Sequence, residues 1–232
     1  MPQLRLNHSL HQTVVEELYK KFLPDRVWDE EAVHRSDLIY CLRKSWARYT
    51  GQGIEHPDKT MMFFLRGRVL HEMLAIGDEE FEVLDSGLTI HVDDVVEGEW
   101  LEKKTTNIKY GEPPRMTEAW LLELGIAAAY APEHKVNMLV LHLMGDYGHN
   151  RFPMLSGPWE YEFSEEEVAE ALEWVHHRKD VLRQAVGGNI APGYEYRMAW
   201  ECKDCPLFGG LCSVDDILAT PPNALPKFAT EV

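Results

Sequence analysis

The sequence has no apolar run near the roughly 20 residues needed to cross a bilayer, and its first residues, Met1-Pro2-Gln3-Leu4-Arg5-Leu6-Asn7-His8, lack the apolar stretch of a secretory leader. A cytoplasmic setting with no membrane partner is the expectation. Cations are also scarce: 23 Lys and Arg face 39 Asp and Glu, a formal net charge of −16. Phosphate contacts need Lys and Arg, so this balance argues against a broad, non-specific nucleic-acid binder. The deficit is uneven, with a balance of −6 over residues 1–115 and −10 over the remainder. Cysteine is rare as well, at four in 232 residues. In a reducing compartment so few are read as metal ligands before disulfides. No internal repeat or low-complexity tract is visible.

What is present suffices for a packed α/β domain. Hydrophobic residues make up 45% and charged residues 27%, ordinary for a globular protein, and the length does not force a second domain. Helical spacing predicts helices over His8 to Phe22, from a Ser36 cap through Leu38, Ile39, Cys41, Leu42 and Trp46, and over Met61 to Ala75 behind an Asp58 cap. Glu80 to Leu84, Leu88 to Val96 and Glu99 to Thr106 read as three strands, joined by turns at Ser86-Gly87 and Glu97-Gly98. A helix from Met116 to Tyr130 and a buried strand from Val136 to Met144 come next. Trp159 to Phe163 adds a strand, and Ser164-Glu165-Glu166-Glu167 forms a capping box opening a long helix that ends at Gly187-Gly188. After Cys212 the chain turns polar, with Pro221, Pro222 and Pro226, and residues 214–232 are expected to be a flexible tail.

Two constellations carry chemistry. Strand alternation places Glu102 and Lys104 on one face and Lys103 on the other, so a carboxylate and an ammonium share a pocket. Across the Glu97-Gly98 turn, Asp93 and Asp94 offer a second acid, with Asp93 preferred, and His71 offers an imidazole ligand for a divalent ion. The bland alternative is a solvated strand pair beside an ordinary histidine. The second constellation is one plus three cysteines: Cys41 alone, then Cys202, Cys205 and Cys212. A cluster of three thiolates closed by a distant fourth fits an iron–sulfur cluster. Zinc sites usually draw on two close pairs, so zinc is the alternative, followed by free structural thiols.

Together these motifs resemble the PD-(D/E)XK nuclease superfamily and, within it, the RecB-like iron–sulfur exonucleases of the CRISPR-associated exonuclease family. The resemblance rests on Cys41-Leu42-Arg43-Lys44, a Gly-x-x-x-His segment from Gly67 to His71, Asp93, the Glu102-x-Lys104 pair and the terminal cysteines, and it spans roughly residues 36 to 213. It implies a restriction-endonuclease-like core of helix, three strands, helix and strand at about 58–163. Cluster-binding parts at about 36–50 and 200–213 would join the helical ends of a single domain, residues 1–213, through a [4Fe-4S] cluster. It further implies that His71, Asp93, Glu102 and the Lys103 backbone carbonyl hold one or two Mg²⁺ or Mn²⁺ ions. Lys104 would orient the attacking water, and the chain would hydrolyse single-stranded DNA or DNA ends. Arg43, Lys44, Arg48, Arg66, Arg68 and Lys109 become candidate phosphate contacts, and Trp46, Tyr49 and Tyr110 candidate base-stacking aromatics.

The chain departs from the family pattern at two places. Ile90 stands where a glycine usually precedes the aspartate, and Glu123 and Ala127 stand where the next helix usually carries Gln-x-x-x-Tyr. Glu123 remains a candidate to face the site. These departures suggest a divergent member, as a phage or other mobile element would carry, acting in the host cytoplasm. His176-His177 reads as surface, and the acids from Glu165 to Glu173 as a solvated helix start that could also dock a basic integrase or recombination protein.

Overall fold

A computed structural model of the chain describes residues 28–52, 67, 69, 81–107, 113–143, 154–198 and 200–230. The helix expected over His8 to Phe22 lies outside the described residues, as do His71, Arg66, Arg68, Lys109 and Tyr110. Of the segment from Met61 to Ala75, Gly67 and Val69 are described, and both are helical.

The fold is mixed α/β with two small sheets and several helices. A short strand β1 (Val33–His34) leads into helix α1 (Arg35–Ile39) and then α2 (Leu42–Tyr49). Four strands follow: β2 (Phe81–Asp85), β3 (Leu88–Val92), β4 (Asp94–Val96) and β5 (Glu99–Thr106). Helix α3 (Glu118–Ala128) crosses over to β6 (Lys135–His142), and β7 (Met154–Glu162) precedes the long helix α4 (Glu165–Gly188). Two short helices, α5 (Val214–Ala219) and α6 (Lys227–Thr230), close the described chain. The sheets run β1-β3-β2 and β4-β5-β6-β7. Within the second sheet β5 and β6 are parallel, which a crossover connection through α3 allows, while β4 and β7 pair antiparallel at its edges.

Both expected hairpin turns form. Ser86 and Gly87 have φ of 50° and 76°, and Glu97 and Gly98 have 53° and 87°. Consecutive positive φ values match the twist of the flanking strands, and glycine adopts them without a Cβ penalty. The strand expected over Leu88 to Val96 divides at Asp93, however, and its halves belong to different sheets. The cause is local: the Asp93 carboxylate accepts the Lys103 amide at 2.7 Å, so a side chain replaces the backbone acceptor where the β4·β5 ladder stops.

The helix expected through Cys41 is also interrupted, because tertiary partners take its backbone groups. The Cys41 amide donates to Glu201 at 3.1 Å and the Leu42 amide to the Tyr196 carbonyl at 3.0 Å. From the other side, buried Arg178 on α4 donates to the carbonyls of Leu38 and Tyr40. Cys41 therefore sits at the N-cap of α2, with extended φ and ψ of −62° and 115°. Helix α4 begins as its sequence specifies: Ser164 and Glu167 exchange the two bonds of a capping box. It runs through both glycines and ends on Asn189 in the left-handed conformation.

Helix α3 is apolar on nearly every side and lies at the centre of the core, with Leu122, Leu124, Ile126, Ala127 and Ala128 fully buried. Residues 214–230, expected as part of a flexible tail, include α6, which packs onto α3, and Ile217, which lines a pocket with Cys41, Cys202, Cys205 and Cys212. Ile217 and Ala229 are buried, and Phe228 stacks edge-on against Phe163 at 5.6 Å. Apolar burial outweighs the proline-rich composition here. A Cβ on Gly125 of α3 would stand 2.8 Å from the Phe228 ring. Gly125→Ala is therefore expected to displace α6 and cost about 1–3 kcal/mol as overpacking does. Limited proteolysis should cut the variant near its C-terminus at protease levels that leave the wild type intact.

Candidate active site and thiol pocket

The faces of β5 sort the charges. Glu102 is 1% exposed, and its Oε2 accepts from Lys104 Nζ at 3.0 Å. On the opposite face Lys103 Nζ pairs with Asp94 at 2.9 Å, and both side chains are buried. Asp94 is thereby committed to the far side, while Asp93 bonds the main chain at Lys103 and adds its charge to the field at Lys104 and Arg35. The amide and carbonyl of a strand residue point to one side. The Lys103 carbonyl accordingly faces the edge that Asp93 occupies.

Helix α3 supplies Glu123, which accepts from Lys104 Nζ through Oε2. Helix α1 supplies a residue that sequence reasoning missed: Arg35. Its guanidinium donates to Glu102 Oε1 at 2.8 Å, to the Glu123 carbonyl at 3.0 Å and to the His91 carbonyl at 3.2 Å. One buried cation thus ties β3, β5 and α3 together. Tyr40, between α1 and α2, brings its hydroxyl within 3.4 Å of Glu123 Oε1. The set holds three carboxylates, Asp93, Glu102 and Glu123, against two cations, Arg35 and Lys104.

Burial acts to lower the Lys104 pKa, but Glu123, Glu102 and Asp93 outweigh it, and the ammonium is held well above its ordinary value. The same opposition, with the carboxylates again prevailing, raises Arg35. Tyr40 is raised chiefly by the Glu123 charge and then by burial, so its hydroxyl stays a donor.

The four cysteines gather from the two ends of the described chain around one pocket, with Arg43, Tyr194, Arg197, Phe208 and Ile217. The loop carrying three of them is held by its own backbone: Cys212 N donates to Leu207 O at 2.9 Å and Gly209 N to Cys212 O at 3.0 Å. Glu201, 4% exposed, pins the other side by accepting from the Cys41 and Met198 amides and from Lys44 Nζ. Burial and then Glu201 push the Cys41 thiol up to about 11, and burial raises Cys212 against the opposing pull of Arg43. Among the described residues, no three His, Cys, Asp or Glu side chains close on a single-ion geometry.

No protein-family model matches this chain, and no curated protein matches it. Among solved structures, the crystal structure of SSO0001 is similar over 85% of this chain and 94% of that one, at 16% identity and a TM-score of 0.47.

The sequence-derived candidates divide accordingly. Asp93, Glu102, Lys104 and Glu123 come together, and the cysteines come together elsewhere. Gly67 lies against β5, where an added Cβ would meet Thr105 Oγ1 at 3.7 Å. The candidate phosphate contacts on α2 have other partners. Arg43 donates to the Pro192 and Leu211 carbonyls and stacks on Tyr194, Lys44 pairs with Glu201, and Arg48 pairs with Asp37. Their charge secures the thiol pocket and α2 instead of projecting for a phosphate. Trp46 is buried, and Tyr49 donates to Asp37 and packs edge-on against Trp28, so both belong to the core. Among the described residues, no helix is long and apolar enough to cross a membrane.

Proposed function

We propose that the chain is a divalent-metal-dependent deoxyribonuclease that degrades single-stranded DNA or DNA ends, built on a restriction-endonuclease-like core and stabilised by an iron–sulfur cluster. The observation that carries the reading is the convergence of Asp93, Glu102 and Lys104 on the middle of β5, with the Asp93 carboxylate bonded to the main chain at Lys103. An antiparallel β4·β5 hairpin joined through α3 to a parallel β6 supports the fold assignment.

The donor set suits the group. Carboxylate and carbonyl oxygens are hard ligands, and Mg²⁺ is commonly held by one or two carboxylates with substrate phosphate completing its sphere. Asp93, Glu102 and the Lys103 carbonyl would hold it, with His71 as a further ligand. When bound, such an ion offsets charge on the scissile phosphate and acidifies a coordinated water. The protein's own groups do the rest. Arg35 fixes one oxygen of Glu102. Lys104, kept protonated by its carboxylates, donates to and orients the attacking water. Glu123 holds the ammonium in place from the other side.

Cys41, Cys202, Cys205 and Cys212 would ligate a [4Fe-4S] cluster, with zinc as the alternative occupant. The four thiols line one pocket beside Arg43 and Arg197, whose charge compensates thiolates. A DNA-end-binding subunit of a CRISPR adaptation or recombination complex, with little chemistry of its own, is the second reading. It is favoured by the pairing of both Glu102 oxygens with protein cations, Oε1 with Arg35 and Oε2 with Lys104.

The two neighbouring aspartates give a sharp test. Asp93→Asn is expected to lower Mn²⁺-dependent release of end label from single-stranded DNA by at least about 100-fold with a near-native melting temperature. Asp94→Asn should lower the melting temperature, because it leaves Lys103 buried without its carboxylate, yet keep the activity. Equal activity in wild type and Asp93→Asn would remove the nuclease assignment.

A further inference from the structure

Trp200 is 58% exposed. Its neighbour Glu201 accepts the Cys41 and Met198 amides, and the segment from Cys202 onward carries three of the pocket cysteines. The indole stands edge-on to the Tyr40 ring, with centroids 6.3 Å apart and an interplanar angle of 77°. Tyr40 in turn reaches Glu123, and Glu123 reaches Lys104. A large aromatic surface is thus held open to solvent two side chains away from the candidate hydrolytic centre.

We infer that Trp200, braced by Tyr40, is a stacking platform for an unpaired nucleobase next to the scissile phosphate. The inference rests on the nuclease reading for the position of that phosphate. Three features support it. An exposed indole offers a flat apolar face that any base can cover, whereas a base within a duplex is already stacked on its neighbours. The bracing ring and the anchored backbone remove conformational freedom before binding, so little entropy is lost on contact. A chain with net charge −16 cannot rely on phosphate attraction alone, and stacking supplies affinity that does not depend on charge. The site thereby selects frayed or single-stranded ends over intact duplex.

The test is binding, kept separate from cleavage. An oligonucleotide with 2-aminopurine near its terminus is titrated with the full chain in Ca²⁺, using wild type, Trp200→Phe and Trp200→Ala matched for iron, zinc and visible absorption. Stacking predicts that Trp200→Ala binds the single strand about 10- to 100-fold more weakly and loses the quenching of 2-aminopurine. Trp200→Phe should stay within about threefold of wild type, and affinity for a blunt duplex should be equal in all three. Unchanged single-strand affinity in Trp200→Ala overturns the inference. So does a parallel loss for single strand and duplex, and so does a melting-temperature shift with a protein partner in place of any shift with DNA. If quenching depends on Trp200 but Mn²⁺ elicits no cleavage, the platform stands and the nuclease reading falls.

Discussion

Lys104→Ala is expected to lower metal-dependent DNA hydrolysis by about 100- to 10,000-fold, the range that positioned proton-handling groups contribute. The same substitution should reduce stability. Lys104 is the cation between Glu102 and Glu123, and removing one member of a buried charge set costs about 3–5 kcal/mol. Arg35 would remain as compensation for Glu102, reached at 2.8 Å. The protonation state follows from the same contacts. Because carboxylates raise the folded-state pKa of Lys104, its stabilising contribution is fully present below the unfolded value near 10.4 and fades only at higher pH. At neutral pH it is therefore an ammonium that donates and orients, and it cannot be the base that removes a proton from water. Activity measured between pH 6 and 9 should show no limb assignable to Lys104. Lys104→Arg should restore stability while leaving most of the activity lost, since a planar fork cannot reproduce a point donor.

Cys41→Ser is expected to abolish visible absorption and to destabilise the chain by about 4–5 kcal/mol or more, the scale on which loss of a structural metal stands out from ordinary substitutions. Cys41 lies far in sequence from the other three cysteines, so the cluster would fasten α2 to the loop after Glu201. The consequence extends to the candidate hydrolytic centre. Tyr40 immediately precedes Cys41, and Arg35 opens the helix that Tyr40 caps, and both place side chains among the candidate-site carboxylates. Loss of the cluster should thus lower activity as well as stability, although no cysteine touches the reacting groups. Thermal melts of anaerobic wild type and Cys41→Ser, read beside their spectra, decide the matter. A colourless wild type with the same melting temperature as the variant would mean that the thiols are merely packed.

The part of the site set by strand periodicity is legible in sequence. Glu102 and Lys104 share a face because they are two residues apart, and the hairpin turn at Glu97-Gly98 brings Asp93 alongside them. The capping box at Ser164 is equally local and forms as written. The cysteines, with Cys41 far from the other three, are also legible, by their ligand chemistry, but the polar contacts between other distant residues are not. Arg35 meets Glu102 across 67 residues and Tyr40 meets Glu123 across 83, with no spacing rule to connect them. The only local trace of Arg35 is a cation at the start of a short helix, where the helix dipole would not favour it. The break at Cys41 has the same origin, since Glu201 and Arg178 take backbone groups that helix periodicity assigns to the helix itself. Arg43 and Lys44 read as a basic cluster because their acceptors, the Pro192 and Leu211 carbonyls and Glu201, lie some 150 residues downstream.

The most direct measurement is degradation of end-labelled single-stranded DNA by the anaerobically purified protein with Mn²⁺, with the visible spectrum recorded on the same sample. A brown protein that releases label only when the divalent metal is present is the expected result. A folded, cluster-bearing protein that binds the same DNA and leaves its label intact at every Mn²⁺ and Mg²⁺ concentration would contradict it.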